Sequence, residues 1–278
     1  MHTDPETARY DLTVRRFRLD ADTLPKYWFD DNALLTHAIN AQNLLFPTAE
    51  RFMVRSVHRH LPQVEDPELR AAVRTFIGQE VQHGLTHDHA LDLLRDQGFR
   101  IDGWLSGYAA CIRAFERVAP AWLCLSITAA TEHFTASVGE CWLTEGRMPL
   151  AHPEMAAMLA WHAVEEIEHK AVAFDVLKAV EPRYDHRIVG LFLAAFLLLL
   201  TVVSATVLLL WQDPDATLAR VRAERREAGK ENIRSTRFIE RHMGPYLARD
   251  FHPNDHDNLA LAHAQLAELE AFLSERAA

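Results

Sequence analysis

Two short runs in this 278-residue chain place a glutamate three residues before a histidine: Glu80-Val-Gln-His83 and Glu166-Ile-Glu-His169. Residues three or four apart on a helix share a face, with Cβ atoms about 5–6 Å apart. Each pair can therefore bind one metal ion or bridge two. A lone glutamate, Glu50 or Glu132, precedes each run by about thirty residues. Mixed carboxylate and imidazole ligation suits Fe, Mn or Zn. Four glutamates carry four negative charges, which two divalent ions cancel. Without metal, four buried carboxylates strongly resist ionising together.

The run WHAVEEIEHK (161–170) offers three glutamates and two histidines. At about 100° per residue, with His162 at 0°, Glu166 falls near 40° and His169 near −20°, while Glu165 falls near −60° and Glu168 near −120°. Glu166 is the expected ligand, and it completes the repeat with Glu80. Glu165 is its supporting neighbour or runner-up. Glu168 and Lys170 are expected to face water, and His162 becomes a seventh candidate ligand. His87, one turn beyond His83, reads as a second supporting residue or a polar residue at the core edge. His133 points away from Glu132, and His58, His60 and His89 read as peripheral. The run FHPNDHDN (251–258) looks metal-like by composition but is better explained as a turn that caps the last helix.

These residues need helices to position them. Low glycine content and long Ala/Leu/Glu/Arg-rich stretches favour an all-α chain. Helices are expected over 31–60, interrupted near Pro47, which restarts a helix or kinks one that continues, and over 67–97, 120–145 and 153–180, with a longer connection at 99–118 that has room for a short helix of its own. Leu69, Val73, Phe76, Leu91 and Leu94 share a face with Glu80 and His83, so this pair lies inside an apolar stripe. Leu125, Thr128, Ala129, Glu132, Thr135, Ala136 and Gly139 likewise share a face, and the small residues there leave volume for a metal pair and a substrate. One glutamate from each of two helices and Glu-x-x-His from each of two others is the ligand set of ferritin-like di-metal carboxylate bundles with one long crossover. The expected architecture is thus a ferritin-like four-helix core over 31–182 that follows an irregular segment, 1–30. A long apolar helix (183–212) and a helical extension (213–278) complete it. The extension comprises an arginine-rich, mostly solvated stretch (216–244) and a last helix (257–275).

Residues 188–211 form 24 uncharged positions, and about 20 suffice to span a hydrocarbon core as a helix. Membrane contact is expected over burial in a soluble bundle; burial between the subunits of a homo-oligomer is the third option. A net charge of −10 argues against a nucleic-acid partner. Cys111, Cys124 and Cys141 show no CxxC spacing and fit a reducing compartment. The N-terminus has no apolar secretion signal. The expected location is the bacterial cytoplasm or cytoplasmic membrane.

The runs FPTAERFMVRSV (46–57), FIGQEVQHGLTH (76–87), TEHFTA (131–136) and WHAVEEIEHKAVAFDV (161–176) resemble the bacterial family of predicted metal-dependent hydrolases over roughly residues 20–250. The order His162, Glu166, His169 is also similar to that of the di-iron arylamine N-oxygenases. That second resemblance implies seven ligands: Glu50, Glu80, His83, Glu132, His162, Glu166 and His169. Two divalent ions are expected, Fe first, with Mn or Zn as alternatives. The first functional expectation is a di-iron enzyme that uses O2 to oxidise a small-molecule or lipid-like substrate. A two-metal hydrolase is the alternative and a non-catalytic metal-binding protein the third. No separate nucleophile motif stands out.

Overall fold

The computed structural model describes residues 9–20, 23–229 and 239–276, and it is all-α. Among the described residues the sole β pairing is an isolated bridge between Phe29 and Ala151. Four helices build the core: α1 (Ala33–His60), α2 (Pro67–Asp96), α4 (Ala121–Thr144) and α5 (Pro153–His169). α1 packs on α2 and α4 on α5, and contacts of α1 with α4 and of α2 with α5 close the ring. Between α2 and α4 runs α3 (Asp102–Val118), which crosses over α1 and buries none of its residues.

The helix boundaries have local causes. The Asn32 side chain accepts from Leu35 N at the start of α1, and Asp66 accepts from Glu68 N and Leu69 N just before Pro67. α2 ends before Gly98, which takes φ +90°, a conformation that disfavours other residues.

Of two boundaries, one left open is resolved and one differs from expectation. α1 runs unbroken through Pro47: the ring removes one backbone donor, but packing on both flanks of the helix keeps its course. The expected single helix over 153–180 instead breaks after His169 and resumes as α6 (Val172–Val180). Lys170 and Ala171 keep right-handed helical angles, so this is a kink. The buried Lys170 ammonium anchors it by donating to the His256 carbonyl and to Asn258 Oδ1.

The N-terminal segment is irregular yet packed against the core. Phe17, Leu19, Trp28 and Phe29 are buried, and Thr86 Oγ1 donates to the Phe17 carbonyl at 3.2 Å. Glu168 and Lys170, expected to face water, are covered by two different irregular segments. Arg15 covers Glu168, the 251–258 turn covers Lys170, and both residues are buried.

The apolar segment forms α7 (Tyr184–Gln212), long and apolar enough by length and composition to cross a membrane. One face packs on α1 and α4 through Gly190, Leu191, Ala194, Ala205 and Leu209. A Cβ at Gly190 would sit 2.6 Å from the Ser126 carbonyl carbon, so only glycine allows this approach. The opposite face exposes Phe192, Phe196, Leu199, Val203, Val207 and Trp211. Asp213 pins the end of α7 by accepting from Tyr27 at 2.8 Å and pairing with His37 Nε2 at 2.7 Å.

The arginine-rich stretch begins as α8 (Leu218–Gly229); the expectation for 230–238 lies outside the described residues. A π-turn (Ile239–Met243) then leads to a helical turn (Gly244–Tyr246). The final helix α9 (Leu259–Arg276) packs on α5.

Candidate metal centre

Glu50 comes from α1, Glu80 and His83 from α2, Glu132 from α4, and His162, Glu166 and His169 from α5. All seven are buried, and the structure gathers them at the centre of the bundle. Glu50, Glu80 and His83 each offer an atom within 4.8 Å of the others; so do Glu80, Glu132 and His169, and so do His83, His162 and Glu166. Two glutamates reach both Glu-x-x-His imidazoles. Glu80 Oε1 lies 3.3 Å from His83 Nδ1 and 3.4 Å from His169 Nε2. Glu166 lies 3.5 Å and 3.4 Å from the same two nitrogens. Glu50 and Glu132 sit at the two ends. Glu132 Oε2 is 3.1 Å from His169 Nε2. A Cβ at position 84 would lie 3.1 Å from Glu50 Oε2, so Gly84 leaves room for that carboxylate.

Both oxygens of Glu50, Glu80 and Glu132, with His83 Nδ1 and His169 Nε2, are buried without a hydrogen-bond partner. A buried carboxylate left this way carries a heavy desolvation cost. Their convergence on one volume makes the donor set a good fit for divalent cations.

The outward-facing nitrogens are all engaged. His83 Nε2 pairs with Glu165 Oε2 at 3.0 Å. His169 Nδ1 pairs with Gln79 Oε1 at 3.2 Å. His162 Nδ1 pairs with His87 Nε2 at 2.7 Å, and His87 Nδ1 with Asn43 Oδ1 at 3.0 Å. With protons placed on the engaged nitrogens of His83 and His169, their inner nitrogens keep free lone pairs. A further layer holds this one. Glu165 also accepts from the Arg15 backbone N–H. Glu168 accepts from Gln79 Nε2 at 3.0 Å and from both Arg15 terminal nitrogens at 2.8 Å. Thr135 donates to Glu166 Oε2, and His162 Nε2 meets Glu166 Oε1 at 2.7 Å.

The sequence profile of the family described as predicted metal-dependent hydrolase matches residues 13–257. The chain belongs to that family. No curated protein and no solved structure matches it. The matched span of this metal-dependent family holds all seven buried donors, and also Arg15, Gln79 and Glu165 behind them.

Electrostatics divides the site. Burial, with repulsion from Glu80, drives the Glu50 carboxyl well above its usual range, and burial pushes Glu132 up to about 8. Burial also acts to raise Glu166, but His169 and His162 prevail and hold it well below the carboxylate range. Burial lowers the basicity of His87, as does its neighbour His162. The acids of the centre are therefore shifted in opposite directions, and nearby cations would favour the ionised forms of Glu50 and Glu132.

His133 turns away, as expected, and pairs with the His242 carbonyl at 2.7 Å. His60, expected at the periphery, is buried beside Ala121. In the 251–258 run, His252 and Asp255 form a reciprocal cap on the short 3-10 turn Pro253–Asp255, whereas the expectation placed the capping at the last helix. His256, however, joins Glu140 and His242 in a second cluster. Arg241 and Asn258 already occupy the two oxygens of Glu140, so this cluster is a closed polar network. Sequence reasoning missed Gln79, Asn43 and Arg15, and it placed Thr135 on the Glu132 face without its hydrogen bond to Glu166. Gln79, one turn before His83 on α2, carried a local signal; Arg15, in an irregular segment, carried none.

Proposed function

We propose that this chain is a two-metal-dependent hydrolase acting on a small apolar substrate. The observation that carries the reading is the convergence of unpartnered buried carboxylate and imidazole atoms from four helices. Membership of a family described as metal-dependent hydrolases supports it. Glu50, Glu80 and His83 would hold one divalent ion and Glu80, Glu132 and His169 the other, with Glu166 reaching both and His162 completing the set. Such a pair supplies Lewis acidity and a nucleophile at neutral pH.

The chain's own residues prepare the site. Glu165 and Gln79 fix the rings of His83 and His169 by engaging their outer nitrogens, which turns the inner nitrogens toward the metal positions. Thr135 orients Glu166. The buried walls exclude bulk water, which strengthens every charge interaction inside. Small buried residues on α4, among them Ala129 and Ala136, flank Glu132.

One feature of the donor set favours a second reading. Four carboxylates and three imidazoles on a four-helix core form a carboxylate-rich site of the kind used by di-iron proteins, which supports oxidation of the substrate with O2. One purification separates the two readings. Hydrolysis predicts about two ions per chain, cleavage of p-nitrophenyl esters, and no O2 uptake by the reduced protein. Oxidation predicts bound iron, O2 uptake and no ester cleavage. Absence of stoichiometric metal would contradict both.

A further inference from the structure

Beside the candidate metal centre lies a half-open cavity of about 440 Å³, bounded by α1, α3, α4 and α7. That volume falls in the range of ligand sites. None of its lining side chains is charged. Thr201 and Ser204, which line it, turn their hydroxyls back onto the Leu197 and Thr201 carbonyls of their own helix, so they present carbon to the space. On α7 the buried stripe runs through Gly190, Leu191 and Ala194, then resumes only at Ala205 and Leu209. A helix packed along its whole length would bury positions 198 and 201 between them; here Leu198 and Thr201 line the cavity instead.

The inner wall includes Ala49 and Thr131, each preceding a metal-site glutamate, Glu50 or Glu132, on its helix. The rim consists of Gly107 and Cys111 on α3 and Leu200 and Ser204 on α7, all exposed. Leu200 adjoins Leu199 and Val203 of the exposed apolar stripe of α7. An apolar path therefore runs from the outer face of α7 to Ala49 and Thr131, the chain neighbours of Glu50 and Glu132, under a helix that buries none of its own residues.

We propose that this cavity binds an unbranched alkyl chain, and so directs the enzyme to alkyl or acyl substrates whose reacting group reaches the metal centre. This rests on the two-metal reading for its catalytic meaning, but chain binding is testable without it. The probes are hexanoate, octanoate and decanoate, titrated calorimetrically into the metal-free and the metal-loaded full chain. Affinity should rise about fourfold per added methylene, in both forms. Decanoate should also slow iodoacetamide labelling of Cys111 at the rim, while labelling of the half-buried Cys141 stays unchanged. Ser204→Trp, at an exposed rim position, should block the cavity and abolish both effects; Gly107→Phe serves the same purpose if that variant fails to fold. Binding that does not depend on chain length, or unaltered Cys111 labelling at saturating decanoate, overturns the proposal. A chain that binds to a protein unable to take up metal leaves this inference standing and sinks the two-metal reading alone.

Discussion

Arg15 lays both terminal guanidinium nitrogens on the Glu168 carboxylate, at 2.8 Å each. An irregular N-terminal segment thus closes a chain of contacts that ends at the metal-facing nitrogens. Glu168 accepts from Gln79, and Gln79 meets His169. The Arg15 backbone N–H holds Glu165, which meets His83. One residue far outside the four core helices supports both Glu-x-x-His imidazoles.

Removing that fork leaves a buried carboxylate uncompensated. Arg15→Ala is expected to lower stability by about 3 kcal/mol, measured by urea denaturation. Glu168→Gln in the same background should recover part of the loss, because it removes the stranded charge. A double variant no more stable than the single one would show that Arg15 acts by packing alone.

Glu165 was expected as a supporting neighbour of Glu166, and its contact with His83 gives that support a geometry. Glu165→Gln should reduce metal affinity about 10- to 100-fold with helix content unchanged, read by competition with a chromogenic chelator. Unchanged affinity would mean that the His83 ring is held without it.

The metal-free protein should lose stability as pH rises from about 6.5 to about 8. Glu132, raised by burial from 4.5 to about 8, keeps in the folded state a proton that the unfolded chain has released. Burial opposes protonation of His83 and His169, but hydrogen bonds and charge from neighbouring carboxylates prevail and raise both well above 6.5. Their contribution is also lost as pH rises. His133, lowered by burial to about 4, acts with the opposite sign, but below 6.5. Melting midpoints with and without chelator test this. The chelated protein should melt lower at pH 8 than at pH 6.5, and the metal-loaded protein should not, since its carboxylates bind ionised. A flat chelated profile would contradict the coupling.

Gly190→Ala should destabilise by about 1–3 kcal/mol. The added Cβ meets the Ser126 backbone, which cannot swing aside as a side chain would. A neutral result in thermal melting would mean that α7 does not press on α4 as described.

The core ring of helices was legible because its signals are local. Pro67, Pro120 and Pro153 mark starts, Gly98 marks a stop, and Glu-x-x-His recurs inside apolar stripes. Angular reasoning separated Glu166 from Glu165, since a helix fixes which side chains share a face. The same reasoning failed for Glu168 and Lys170. Helical angle tells which way a side chain points, and here the covering groups, Arg15 and the 251–258 turn, come from distant irregular backbone. Pro47 left the course of α1 open, because one missing donor can break a helix or only bend it, and packing along α1 keeps the helix continuous. The apolar run at 188–211 was plain, but its two-sidedness was not: small residues such as Gly190 and Ala194 face the core, while Phe192 and Phe196 face outward.

The central claim is that Glu80 and Glu166 join two metal positions between Glu50 and Glu132. Anomalous scattering from crystals of the metal-loaded protein tests it most directly. The account predicts two peaks about 3.5–4 Å apart, one beside His83 and one beside His169, with Glu80→Ala leaving at most one. A single peak in the parent protein, or two peaks retained in Glu80→Ala, would contradict it.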